Sequence, residues 1–195
     1  NVWYANGAAR TSVNTVITLD LQRQVTTGLT RQNAKPITQI VKSGVNFRME
    51  PVEAAFIGLV HPDLETDIRK MSGFIPTKQY GTVTPWENEI GAVERVRYLT
   101  STIYAPFADA GGAKGLMRST SGTSADVYPV LYIARDAYGI VALKGDQAIT
   151  PMVVNPKPAA GDPLGQRGTV AWKTMTAIAI LQDTALCRLE VAATA

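Results

Sequence analysis

The sequence predicts an α+β fold, and three features of the residue pattern carry that prediction. Ile17, Leu21, Val25 and Leu29 recur every four residues and draw one apolar stripe along a helix. Residues 54–60 form a short apolar run that His61-Pro62-Asp63 breaks, so a buried strand hands over directly to a helix. Residues 89–102, 127–134 and 169–181 are strand-like stretches rich in β-branched and aromatic residues.

The elements follow in chain order. Residues 1–11 are mostly small or polar, with Asn6-Gly7 as a turn signal. Ser12 or Asn14 is positioned to cap the first helix, and Asn33 and Pro36 stop it. A helix over 14–32 is about 28 Å long. Its single narrow apolar face predicts that it lies across a sheet or against a neighbouring subunit. Residues 37–53 give a weaker strand signal because of their polar content. In the 54–73 unit, Pro62 suits the first helical position because it has no N–H to leave unpaired. Asp63 and Glu65 place negative charge in the first turn, Arg69 and Lys70 balance the last, and Gly73 ends it.

Residues 74–88 hold Pro76, Gly81 and Pro85 and read as loop. Residues 89–102 alternate as one long half-exposed strand, with a slip in phase at 91–93 that a bulge explains. Residues 103–126, rich in Gly, Ser, Ala and Thr, read as a mobile surface excursion. Strands follow at 127–134, 140–143 and 148–154, with a tight turn or one helical turn at 135–139. Residues 155–168 carry three prolines and three glycines and form loop. The last stretch is one long strand, or two in series with a break at Gln182-Asp183.

Composition bounds the function. With 195 residues, 46% hydrophobic and 18% charged, the chain buries a core of its own as one large domain or two small ones. The net charge of +3, from 19 basic and 16 acidic residues, is too weak and dispersed for a dedicated nucleic-acid surface. Cys187 is the only cysteine, so an internal disulfide and a thiolate metal cluster are excluded, and a reducing compartment fits. No apolar run approaches the roughly 20 residues that span a membrane. The chain starts at Asn1 without methionine or a signal-like segment, so further chain is expected upstream.

Candidate chemistry is sparse. His61, the only histidine, stands two residues from Asp63, a thin start for a metal-dependent hydrolase because further ligands at known spacing are missing. A Cys187–His61 dyad depends on the fold bringing the two together, and the apolar strand around Cys187 points to an inert thiol. Asp63 and Asp67 share a helix face, where capping explains them. Glu87 and Glu89 lack a glycosidase context and read as a solvated strand edge. Gly111-Gly112 and Lys114-Gly115 lack phosphate-loop spacing. Trp86, Trp172 and Tyr138 read as core or interface anchors. A chain so poor in convergent polar groups is a structural or binding protein, and no cofactor is expected.

Five segments, in order, then carry a resemblance: the helix ending in NAKP, HPDLETDIRKMSG, WENEIGAVERVRYLTST, VYPVLYIARDAYGIVAL and DPLGQRGTVAWKTMTAIAILQDTALCRLE. Over residues 12–190 the chain resembles the major capsid proteins of tailed phages, specifically the N-four-like coat-protein family. Residues 88–97, 135–139 and 162–173 are the most specific parts. The resemblance implies a Hong Kong 97-type capsid fold with a spine helix, a peripheral-domain sheet and an axial α/β domain. Residues 12–53 would supply the spine helix and a peripheral strand, 54–172 the axial domain and 173–195 the return strands. The resemblance further implies that the family's N-terminal arm and extended loop are missing from this stretch of sequence. The implied partner is the chain itself, in pentamers and hexamers of an icosahedral shell, with other head proteins and weak contact with packaged DNA. The implied location is the virion, assembled in the host cytoplasm, with no membrane. Arg95, Arg97, Arg167 and Trp172 are the expected subunit contacts. The alternative is a monomeric β-rich ligand- or receptor-binding module with Trp86 and Trp172 as platforms.

Overall fold

The computed structural model describes residues 1–42, 48–81, 85–142, 149–158 and 160–195. Their elements are β1 (Val2–Tyr4), α1 (Leu19–Arg31), β2 (Ile37–Lys42), β3 (Arg48–Val60), α2 (Glu65–Arg69), β4 (Phe74–Pro76), β5 (Glu89–Val93), β6 (Val96–Thr100), β7 (Val127–Ile133), β8 (Tyr138–Ala142), β9 (Ile149–Val154), β10 (Thr169–Thr174), β11 (Thr176–Ile180) and β12 (Leu186–Ala192). Two compact units result: residues 1–137 with 182–195, and residues 138–181. The boundaries expected at 53 and 172 fall inside β3 and β10. The expected strands 140–143 and 148–154 are β8 and β9, while Leu143 and Ala148 lie outside the described residues.

The first unit is built on an eight-stranded sheet in the order β1-β12-β7-β3-β6-β5-β4, with β2 paired to β3. β3 is the hub: residues 56–60 run parallel to β6, and residues 57–59 run antiparallel to β7. Register sorts the side chains into two faces. Cys187, Leu189 and Val191 lie beside Tyr132, Val130 and Tyr128. Gly58 joins Tyr132 to Tyr98 across the centre of the sheet. All of these but Gly58 belong to the main hydrophobic core, with Val25 and Leu29 of α1 and Leu64, Ile68 and Met71 around α2. The opposite face carries half-buried Leu59, Leu99, Leu131 and Ile133, together with the charged Arg97 and Glu190.

Several expectations about elements change, among them the start of β3 at Arg48 rather than 54 and the strand β4 inside the expected loop 74–88. α1 begins at Leu19 rather than 14 and is about 20 Å long. Its cap is Thr18, whose hydroxyl accepts the Leu21 N–H at 3.4 Å. Asn14 instead accepts from Asn6 Nδ2 at 2.9 Å, and Ser12 closes a single turn over Arg10–Ser12. The stretch 89–102 is a hairpin, not one strand. Val93 pairs with Val96, and Glu94 takes the left-handed conformation (φ 52°) in a two-residue turn. The phase slip is a real bulge, placed between Glu89 and Gly91. The break expected at Gln182-Asp183 is present, with a single turn at Asp183–Ala185 between β11 and β12, and a further break at Met175 separates β10 from β11.

The second unit is a ribbon. β8 pairs with β11 and β9 with β10, both antiparallel. Every residue of β10 and β11 is exposed.

Candidate functional site

Among the described residues of the first unit, five polar clusters bear on its function. Under α1, Gln22 is buried and donates its Nε2 to the Val93 carbonyl at 2.8 Å. The Tyr98 hydroxyl donates to Gln22 Oε1 at 2.7 Å and stands 3.1 Å from the Tyr132 hydroxyl. Burial, then the neighbouring Tyr132, pushes the Tyr98 phenol well above its ordinary range. Gln22 belongs to the face of Val25 and Leu29 at helical spacing, so its burial was legible, although its polarity hid it.

The second cluster follows the break after β3. His61 Nδ1 accepts the Asp63 N–H at 3.2 Å, so this nitrogen caps the turn. Asp63 accepts from the Tyr128 hydroxyl at 2.9 Å and faces Arg118 at 3.1 Å. Asp67 is buried and accepts from the Thr194 N–H at 2.9 Å and the Thr194 hydroxyl at 2.6 Å. The two carboxylates that share a helix face therefore fasten the 103–126 segment, β7 and the C-terminal residues. Among the described residues, no group of three or more His, Cys, Asp or Glu is placed to hold a metal ion.

The third and fourth clusters bury charge on the other face of the sheet. The Glu190 side chain is fully buried and takes two hydrogen bonds from Arg10, at 2.7 and 2.8 Å, with Arg188 at 3.0 Å. Arg10 also stands 3.7 Å over the Phe107 ring. Its guanidinium is held above its ordinary value, first by the hydrogen bond to Glu190. Glu89, expected at a solvated edge, is likewise fully buried in its side chain. It accepts from Arg97 Nε at 2.8 Å, the Tyr80 hydroxyl at 2.6 Å and the Trp86 N–H at 2.7 Å. Beside this pair lies a recess of about 240 Å³ lined by Ala54, Ala55, Ile75, Tyr80, Ala92 and Arg97, among others.

The fifth cluster orders the 103–126 segment, which is pinned rather than free at its base. Phe107 bridges to Val127 and Ala113 to Ser124. Asp126 is buried and accepts from the Asp109 N–H at 2.9 Å and the Thr120 hydroxyl at 2.8 Å. Burial alone would raise its carboxyl, but the Asp109 and Thr120 hydrogen bonds and Arg118 together hold it below the usual value. A Cβ on Gly111 would stand 2.3 Å from the Val13 carbonyl oxygen and 2.7 Å from that of Ala125, so glycine is required there.

The four expected contact residues separate. Arg95 is exposed in the β5–β6 turn. Arg167 is exposed in the ribbon, where its N–H donates to Asp162 Oδ2 at 2.8 Å. Trp172 is 72% exposed. Arg97 is instead drawn inward by Glu89 and only 5% exposed, because it alternates with the core-facing Val96 and Tyr98 along β6. Trp86 is half-buried, with its indole N–H enclosed, and offers no open platform. Burial pushes the Cys187 thiol up to about 11, so it stays protonated and inert at neutral pH. No described helix is long and apolar enough to cross a membrane.

No protein-family model and no curated protein matches the sequence. Solved structures do share the fold. The chain is similar over its full length to 53% of a chain in "Capsid of Ralstonia phage GP4", with a TM-score of 0.64 and 13% identity. It is similar over 96% of its length to 61% of a chain in the head structure of Helicobacter pylori bacteriophage KHP40, with a TM-score of 0.56 and 11% identity. A chain in the acidic stable capsid structure of Helicobacter pylori bacteriophage KHP30 gives 96% and 62% coverage, 0.53 and 10%. The chain thus spans between half and two thirds of these neighbours' lengths. At such identities the likeness is one of fold, and that fold is one found in phage capsids.

Proposed function

We propose that this chain is a major capsid subunit of a tailed-phage head, of the N-four-like type, that assembles into an icosahedral shell around double-stranded DNA. The observation that carries the reading is the fold itself, which matches chains of three phage capsid or head structures over 96–100% of this chain. The order of the five sequence segments supports the same reading. On it, α1 is the spine helix, residues 12–53 and 173–195 belong to the peripheral domain and residues 54–172 to the axial domain. The role is structural, and the partners are further copies in pentamers and hexamers, with other head proteins and loosely held DNA. Assembly takes place in the host cytoplasm.

Arg95, Arg167 and Trp172 are the proposed contacts with neighbours, while Arg97 acts within the subunit. Electron microscopy of the expressed chain, or of a longer polypeptide containing it, tests the reading: closed shells or rings of subunits are expected. Arg167→Glu is expected to reduce their yield, and unchanged assembly would remove Arg167 from the contact set. Exposed Trp172 also suits a second reading, a monomeric binding module. That reading predicts a ligand-dependent change in tryptophan fluorescence from a chain that does not associate.

A further inference from the structure

His61 is the only histidine in the chain, and histidine is the side-chain type that ordinarily changes charge between pH 5 and 8. Its side chain is 17% exposed and packs on Tyr128 of β7, with ring centroids 5.5 Å apart. Nδ1 has two neighbours on Asp63. It accepts the Asp63 N–H at 3.2 Å, so it carries no proton there, and it lies 3.3 Å from Asp63 Oδ2. Without a proton, Nδ1 can serve only the backbone N–H. With one, it can serve only the carboxylate, through a charge-assisted hydrogen bond.

The Asp63 carboxylate already serves two other elements. Oδ2 accepts the Tyr128 hydroxyl at 2.9 Å, and Oδ1 faces Arg118 of the 103–126 segment at 3.1 Å. Burial, then the hydrogen bond to Asp63, holds the Tyr128 phenol well above its ordinary range, so it stays a donor. Asp126 adds negative charge near Tyr128, and Asp67 of α2 is engaged by Thr194 and Lys70. Arg118 is therefore the cation that a protonated His61 meets at this carboxylate. The Arg118 backbone is fastened separately: its N–H donates to the Ala193 carbonyl at 2.8 Å, and its carbonyl accepts the Asp126 N–H at 2.9 Å. Its side chain is 54% exposed, so the guanidinium can leave Asp63 without unfastening the segment.

We propose that His61 is a proton switch: on taking up a proton from solvent, Nδ1 leaves the Asp63 N–H for the Asp63 carboxylate and competes there with Arg118. Two cations on one carboxylate repel each other, so acidification turns the Arg118 guanidinium out to solvent and removes the acceptor that caps the turn after β3. Ambient pH thereby sets the charge that the 103–126 segment presents. The coupling is reciprocal by linkage: protonation of His61 weakens the Arg118 pair by as much as Arg118 opposes protonation of His61. The inference goes beyond the coat-subunit reading and does not depend on it.

A chain with one histidine gives one imidazole titration, read by nitrogen-15 NMR of the ring between pH 8 and pH 5, in solution for the dispersed chain or in the solid state for an assembled one. The neutral ring is expected as the Nε2–H tautomer, and the Asp63 amide is expected to shift with the same midpoint as it loses its acceptor. Arg118→Gln is expected to raise that midpoint by roughly 0.2–0.7 pH units, the worth of an exposed charge pair. Asp63→Asn is expected to lower it. His61→Asn keeps a side chain able to cap the turn but unable to take up a proton, so its Asp63 amide is expected to stay constant over the range, with far-UV circular dichroism unchanged. An unchanged midpoint in Arg118→Gln would overturn the competition. An Asp63 amide that ignores the His61 titration, or that shifts equally in His61→Asn, would overturn the exchange. Either failure leaves the coat-subunit reading, which is tested by assembly, where it stood.

Discussion

Arg97 and Arg95 are neighbours on either side of Val96, yet the structure gives them opposite work. Arg97 neutralises the buried Glu89, so Arg97→Met strands a carboxylate and is expected to cost about 3–5 kcal/mol in chemical denaturation. Arg95→Ala touches an exposed side chain and is expected to change stability by less than about 0.5 kcal/mol, with any effect appearing in association. Tyr98→Phe removes the hydroxyl that satisfies Gln22 Oε1 and is expected to cost about 1–3 kcal/mol, read from the same denaturation curves. Charged and polar residues were where sequence reasoning was weakest. Glu89 reads as solvated because polarity is the usual mark of a surface, and only tertiary pairing shows that its carboxylate is satisfied inside.

At the scale of elements, the 103–126 segment depends on Asp126 and Gly111. The folded Asp126 carboxyl ionises below its ordinary value, which is about 3.9 for an unfolded aspartate. Its contribution is therefore complete above that value and is lost as pH falls through the lower folded value. Amide exchange in 107–126, corrected for the intrinsic pH dependence, should accelerate over that window, and Asp126→Asn should abolish the pH dependence. Gly111→Ala forces a methyl against two backbone carbonyls and is expected to destabilise by about 1–3 kcal/mol. Elements with strong periodicity were legible: the 17/21/25/29 stripe found α1, and apolar runs found the end of β3 and β7. The β5–β6 turn was not, because Glu94 adopts a positive φ without the glycine or asparagine that usually announces one. The pinning of 103–126 was also hidden, since its glycine-rich composition describes loop freedom and not the buried aspartate that restrains it.

The sheet unit buries a core of its own, whereas every residue of β10 and β11 in the ribbon is exposed. A two-stranded ribbon alone is marginal in water, so its exposed Ile, Val and Trp residues make sense in an assembly. Its strands were legible from β-branched runs, but its exposure was not, because apolar strands ordinarily imply a core. Ile178→Glu is expected to leave far-UV circular dichroism intact and to suppress association. The coat-subunit account is tested most directly by native mass, measured by light scattering across concentration and salt on this chain and on any longer polypeptide that contains it. The account predicts closed species in the megadalton range, built from the 20.9 kDa chain or its parent. Monomers under every condition, with no rings or sheets, would contradict it.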